Sequence, residues 1–180
     1  MKTKTHIPTL LKECQYRINY NPLTGEFTWK HNYCKSKIGQ PLGAISHGYM
    51  AVSVTINKKR NNYLLHRIAW LMTYGYWPTY LDHINQVKTD NRIINLRECT
   101  ASQNNANRGP NLNSSTGLRG VYPSWCKGYI AKIYHNGKNH HIGMFLDKFE
   151  AAKAYDERMI ELHGKFAKTN KSLGLIPSET

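Results

Sequence analysis

The apolar residues keep two different periods along the chain, and each change of period marks an element. Met50, Val52, Val54 and Ile56 alternate with Ala51, Ser53 and Thr55, the two-residue period of a strand with one buried face. This predicts a hairpin over 49–66 whose turn is Asn57-Lys58-Lys59-Arg60-Asn61. At Leu64 the period lengthens. Leu64, Leu65, Ile68, Leu71 and Met72 share one helical face, Gly75 is placed to end the helix, and Pro78 stops any continuation. Upstream, residues 8–16 predict a short helix. Asn21-Pro22-Leu23-Thr24-Gly25, flanked by aromatic residues, predicts the tight turn of another hairpin. Downstream, residues 80–98 read as strand, loop and short strand, and Thr100 is suited to cap a short helix, ASQNNANR.

Residues 108–117 (RGPNLNSSTG) have almost no large apolar side chain and read as a linker. Beyond them strand patterning resumes at 120–122, 129–134 and 140–145. The last two strands meet at Asn136-Gly137, a strong hairpin signal. A helix follows over 147–163, with Asp147 as N-cap, Glu150 three residues on, and Gly164 as its stop. Phe149, Ala152, Tyr155, Met159 and Leu162 form its apolar stripe, read as packing on the sheet. The last ten or so residues read as a loose tail.

Composition narrows the function. The 180 residues hold 25 Lys+Arg against 11 Asp+Glu, a formal net charge of +14, which points to a polyanionic partner, usually nucleic acid. The excess is uneven: net +10 over 1–112, +4 over 113–146 and zero over 147–180. No apolar stretch is long enough for a membrane helix, and the N-terminus lacks the apolar block of a secretory signal. Cys14, Cys34, Cys99 and Cys126 are scattered without a CxxC pair, which argues against a disulfide scaffold and suits a reducing cytoplasm. His66 alone is more often a packed histidine than a catalyst.

The chemistry lies in 82–107. Asp82 and His83 are adjacent at a strand end, and the strand–loop–strand–helix returns Asn95 and Asn104 toward them. Phosphodiester hydrolysis asks for these residue types. A nucleophilic water needs a base near neutral pH, which suits His, and an amide or carbonyl oxygen can aim that base. A hard divalent cation wants oxygen ligands, and Asp82 with the Asn104 carbonyl could supply two.

At these residues the chain resembles an HNH endonuclease of the phage homing type. The matching text is Leu65-His66-Arg67-Ile68-Ala69-Trp70 followed by LDHINQVKTDNRIINLRECTASQNNANR, and the preceding stretch, GYxxVxVxxxxxxxxHRxAW, matches 48–70. The resemblance implies a ββα-metal finger at about 62–108, His83 as general base, Asn95 as the residue orienting it, and Asp82 and Asn104 as ligands of one Mg or Mn ion. The last family letter is often His; here Asn104 stands there. A second resemblance covers about 117–170. LRGVY, YIAKI, HHIGMF and EAAKAYDERMIELHGKFAKTN are similar to the DNA-binding domain of plant ethylene-responsive transcription factors, the AP-two/ERF type. That domain docks its sheet in the DNA major groove. The match places Arg119, Tyr122, Ser124, Trp125, Lys127, Lys132, Tyr134 and His141 on or near the DNA face, with Trp125 equally readable as core.

The expectation is therefore an α+β protein. Residues 1–108 hold N-terminal β-hairpins and the HNH finger, 109–116 a linker, 117–170 a three-stranded antiparallel sheet packed on one helix, and 171–180 a tail. The expected function is site-specific cleavage of double-stranded DNA by a monomer that nicks one strand per active centre. It uses no small-molecule cofactor and no membrane, and works in the cytoplasm of a bacterial host if phage-encoded. Lys58, Lys59, Arg60, Arg67 and Arg92 are expected to touch DNA beside the second-domain residues. The alternatives are a non-catalytic DNA-binding regulator and an RNA-binding protein.

Overall fold

The alternation at 50–56 produces the central strand of the N-terminal half. This is seen in a computed structural model that describes residues 7–32, 36–111 and 113–177. Strand β4 (Tyr49–Ile56) buries Val52, Val54 and Ile56 and pairs antiparallel with β3 (Ala44–Ser46) and β5 (Lys59–Leu64). The β4–β5 turn is tighter than its five polar residues suggest. Ile56 pairs with Lys59, leaving only Asn57 and Lys58 in the turn. Both have positive φ, 49° and 61°, the backbone of a two-residue turn whose twist matches its strands. Lys59 and Arg60 therefore belong to β5. Strand β3 escapes the hydropathy pattern because all three of its residues are exposed.

Helix α1 (Ile7–Arg17) leads into a hairpin of β1 (Ile18–Tyr20) and β2 (Phe27–Trp29). Helix α2 (Leu65–Tyr74) follows β5 directly and ends at Gly75, whose φ of 78° is the left-handed C-cap glycine supplies without strain. Leu10, Cys14, Ile18, Phe27, Val54, Leu65, Ile68 and Leu71 close one core. Each large aliphatic side chain buried there contributes roughly 1.5–3 kcal/mol. Next come β6 (Leu81–His83) and β7 (Leu96–Glu98), an antiparallel pair.

The chain forms two compact units, Met1–Cys99 and Thr100–Thr180. The second begins with α3 (Ala101–Ala106), closed by a full capping box between Thr100 and Gln103. Strands β8 (Val121–Pro123), β9 (Tyr129–His135) and β10 (Lys138–Phe145) form one antiparallel sheet in the order β10-β9-β8. Asn136 and Gly137, both at positive φ, make the two-residue turn. Helix α4 (Lys148–His163) is N-capped by Asp147, which accepts from the Phe149 and Glu150 amides. Its Ala152, Tyr155 and Met159 meet Val121, Ala131 and Ile133 in a second core, so the apolar stripe is packing.

The final segment is more than a tail. Asn170 is fully buried, and buried Asp156 accepts its amide, its side chain and the Lys171 amide. Leu175 and Ile176 pack on the second core. Residues 178–180 lie outside the described residues. The fold is α+β throughout, and no helix of the described residues is long and apolar enough to cross a membrane.

Candidate active site

The β6–β7 ladder places the predicted residues. Asp82 stands opposite Arg97, and His83 opposite Leu96. Directly opposed side chains share a face of the sheet, so Asp82 and Arg97 form an ion pair. Arg97 Nη2 and Nε both donate to Asp82 Oδ2, at 2.9 and 3.1 Å. Asp82 and His83 are 7% and 5% exposed, unusual burial for a carboxylate and an imidazole side by side.

The His83 ring lies in an aromatic nest. His66, in the first turn of α2, meets it edge-on with ring centres 4.9 Å apart. Tyr49 lies 5.3 Å from His66 and 6.0 Å from His83. Lys88 stands over the Tyr49 ring, its Nζ 4.8 Å from the centre. Burial lowers the proton affinity of His83, opposed by the Asn91 side chain and the nearby Asp82 and Asp90 carboxylates. Burial, then the nearness of His83 and Arg67, pushes His66 down to about 3. Both imidazoles are thus neutral at pH 7, and a neutral imidazole can accept a proton.

Asn95 holds the loop after His83. Its Oδ1 accepts the Asn85 amide at 3.1 Å and its Nδ2 donates to the Asp90 carbonyl at 2.9 Å. Its backbone carbonyl accepts the Ile84 amide at 2.9 Å. Asn95, expected to orient the base, thus gives its side-chain amide to the loop backbone and its main-chain carbonyl to Ile84, the residue after His83. Asp90 is ion-paired to Arg92, which holds its carboxyl well below the usual carboxylate range.

The N-terminal hairpin buttresses the same loop. Tyr20 Oη donates to the Asn91 carbonyl at 2.8 Å, and the Ile93 amide donates to the Pro22 carbonyl at 3.0 Å. Gly25, at φ 76°, lies so close that a Cβ there would stand 2.5 Å from the Arg92 nitrogen.

Asp82, His83 and Asn95 share the first unit, whereas Asn104 lies on α3 in the second. Among the predicted DNA contacts, Lys58, Lys59 and Arg60 are exposed at the β4–β5 tip. Arg67 is used inside the fold instead of being offered outward. It donates to the Pro78 carbonyl, and its guanidinium lies 4.7 Å from the Trp77 ring centre. Arg92 is exposed but paired with Asp90. Arg119 is also internal: Nη1 donates to the Ala106, Arg108 and Lys168 carbonyls and Nη2 to that of Asn105.

Alternation along β9 turns Ala131 and Ile133 toward the helix and Lys132 and Tyr134 away. Cross-strand register sets Tyr122 opposite Ile130 and His141 opposite Lys132, so Tyr122, Lys132, Tyr134 and His141 share the outward face. Trp125 is fully exposed, not core, in the turn that also holds Ser124 and Lys127; the Ser124 amide donates to the Gly128 carbonyl. Sequence reasoning missed Tyr49, Lys88 and Asn91, and left His66 as packing. The available signal was their place inside the GY, HR and DHINQVKTDN strings.

Residues 63–106 match the model of the HNH endonuclease family. An uncharacterized HNH endonuclease of Acanthamoeba polyphaga mimivirus is 34% identical over 110 residues, 59% of this chain and 57% of that protein. The chain thus spans little more than half the length of that relative. A solved structure of the HNH homing endonuclease I-HmuI, described as DNA binding and cleavage, aligns over 49% of this chain and 50% of that one. It does so at 23% identity with a TM-score of 0.37. The span that is similar to the HNH endonuclease family contains His66, Asp82, His83, Asn95 and Asn104.

Proposed function

We propose that this span is an HNH nuclease domain and makes the chain a site-specific, homing-type endonuclease that hydrolyses phosphodiester bonds in double-stranded DNA, nicking one strand per active centre as a monomer. The observation that carries the reading is the buried Asp82–His83 pair, with the imidazole kept neutral by burial on a loop pinned by Asn95. His83 takes the proton of a water molecule as the water oxygen bonds to phosphorus and the bond to the leaving 3′ oxygen breaks. Lys88, held over Tyr49 beside His83, is placed to meet a phosphate oxygen.

Asp82 and Asn104 would hold one divalent ion, Mg or Mn. The donor chemistry fits. A carboxylate offers about four lone-pair positions, so Asp82 can serve Arg97 and a cation together, and an amide oxygen is the second hard donor. Among the described residues no three His, Cys, Asp or Glu side chains could together hold a metal ion, so DNA phosphate and water would complete the shell. When bound, such an ion neutralises charge on the phosphate and the leaving oxygen.

The outward face of β8–β10, with Trp125 and Lys127 beside it, is the proposed AP-two/ERF-like docking surface. Lys58, Lys59 and Arg60 would add phosphate contacts. The test uses supercoiled plasmids carrying fragments of the source genome with Mg or Mn. The intact chain is expected to produce nicked circles, and His83→Ala to bind DNA with unchanged affinity and cut nothing. DNA that is bound yet stays intact with both metals would leave a non-catalytic regulator and end the enzyme reading.

A further inference from the structure

The second unit holds a groove that shares Tyr122, Lys132 and Tyr134 with the docking face and extends past them to α3 and the segment that follows it. Strand β8 covers β9 only from Tyr129 to Ala131, and the Gly120 carbonyl adds one bond to the Lys132 amide. Beyond that point β9 runs on to His135, and beside it opens a groove of about 1260 Å3. Asn105, Arg108 and Asn113, from α3 and the segment after it, form one bank; Lys132, Tyr134 and Asn139 form the other. None of the residues lining it is acidic. The unit's carboxylates in the described chain, Asp147, Glu150, Asp156, Glu157 and Glu161, all sit on α4 or its cap, while residues 100–146 carry five cations and no carboxylate.

The groove is lined by both polar and apolar side chains, and its polar groups include cations and neutral amides but no carboxylate. Arg119 lines it with Nη1 and Nη2 bonded to four carbonyls. It thereby ties the end of α3 to Lys168 and leaves a fixed positive charge in the floor. Lys132 is steadied over Tyr122, its Nζ 4.2 Å from the ring centre. Arg108 is exposed, and Asn105, Asn113 and Asn139 are short, neutral side chains that can donate. Neutral donors, exposed cations and no carboxylate are what phosphate oxygens select, and they give a contact that carries no base information.

We propose that the groove carries a stretch of the sugar–phosphate backbone of the duplex that the second unit binds. The unit then grips DNA by the sheet face and by the groove that continues from its edge, the groove adding phosphate contacts from Arg108 and the asparagines of its banks. This inference rests on the DNA-binding reading above. The closing experiment separates the two. Full-length chain is titrated into a labelled mixed-sequence duplex over a salt series, as wild type, Arg108→Gln, Asn139→Asp, the double variant and Arg158→Gln. Arg158 pairs with Glu161 on α4 and does not line the groove, so it controls for net charge.

Arg108→Gln is expected to weaken binding about 3–10-fold and to reduce the slope of log affinity against log salt by about 0.9, one phosphate's worth. Asn139→Asp should weaken binding by repulsion from the opposite bank, and the double variant should combine both losses. Arg158→Gln should match wild type. Both test positions are exposed, and unchanged melting by circular dichroism confirms that the unit is folded. Wild-type affinity and slope in both groove variants would overturn the groove assignment and leave the docking face standing. No duplex binding by the wild type would overturn both. Loss of affinity only for single-stranded RNA would make the groove an RNA site and refute the duplex assignment.

Discussion

Mild acid should destabilise the first unit through His66 before any carboxylate matters. His66 is 5% exposed in the first turn of α2. Burial, with help from His83 and Arg67, takes its proton affinity from 6.5 to about 3. The unfolded chain therefore binds a proton at this residue near pH 6.5, whereas the folded chain resists until about pH 3. Between those values the unfolded state holds more protons, so stability is full above pH 6.5 and falls as pH falls. From pH 8 to pH 5 the gap covers about 1.5 units at about 1.4 kcal/mol each, a loss of about 2 kcal/mol. Carboxylates contribute little in this window, because even in the unfolded chain they titrate near pH 4. His83 shifts in the same direction, so a difference measurement is needed. His66→Phe keeps a ring in the same space and removes the proton site. Urea unfolding is followed by tryptophan fluorescence, which reports the first unit through buried Trp70, since Trp125 in the second is fully exposed. The variant should lose about 2 kcal/mol less than wild type between pH 8 and pH 5. Parallel stability profiles for the two proteins would refute the claim that His66 is held neutral by burial.

Three further outcomes follow from the same contacts. Gly25→Ala forces a side chain into a left-handed backbone against Arg92. It should cost about 1–3 kcal/mol and slow cleavage, read by urea unfolding and plasmid nicking. Asn95→Ala strands the Asn85 amide and the Asp90 carbonyl, costing about 1–3 kcal/mol. Hydrogen exchange at Asn85 should accelerate, and unchanged protection there would contradict the pinning role. Arg119→Lys replaces a planar fork that serves four carbonyls with one ammonium. It should lower the melting temperature of the second unit, read by circular dichroism.

What the sequence reveals here is set by the range of the physics involved. The strand at 50–56, the helix ending at Gly75, the Thr100 and Asp147 caps and the Asn136-Gly137 turn all rest on neighbours within a few positions, and each is found in place. Asp82 and His83 are adjacent in the chain and so legible as a pair, whereas the Arg97 that meets Asp82 lies fifteen positions on, across the strand pairing. The roles that stay hidden depend on backbone atoms far along the chain. Nothing in the string marks the Ala106 and Lys168 carbonyls as acceptors for Arg119, or the Asn91 carbonyl as the acceptor for Tyr20, 71 positions away. The NPLTG turn was readable as a turn, but not as the support of the loop after His83. Asn95 was readable as a polar residue of the site, but not as one whose amide is spent on Asn85 and Asp90.

Those hidden roles change the meaning of the charge. Arg17, Arg67, Arg92, Arg97, Arg119 and Arg158 each have an internal partner. Only Arg60 and Arg108 among the eight arginines stand exposed with no side-chain partner among the described residues. A guanidinium is planar, carries five donors and is weakly hydrated, which suits buried and bidentate work; an ammonium is a strongly hydrated point charge suited to solvent. The chain divides its cations along that line. Arginine organises the fold at Asp82, Trp77 and the end of α3, while Lys58, Lys59, Lys127 and Lys132 carry much of the charge that faces outward. The net charge of +14 therefore does not by itself locate the groups that face outward. A polyanion would meet lysines at the β4–β5 tip and along the second sheet, with Arg108 as the exception in the groove. Salt dependence of binding should therefore track those few exposed groups, not the full count of basic residues.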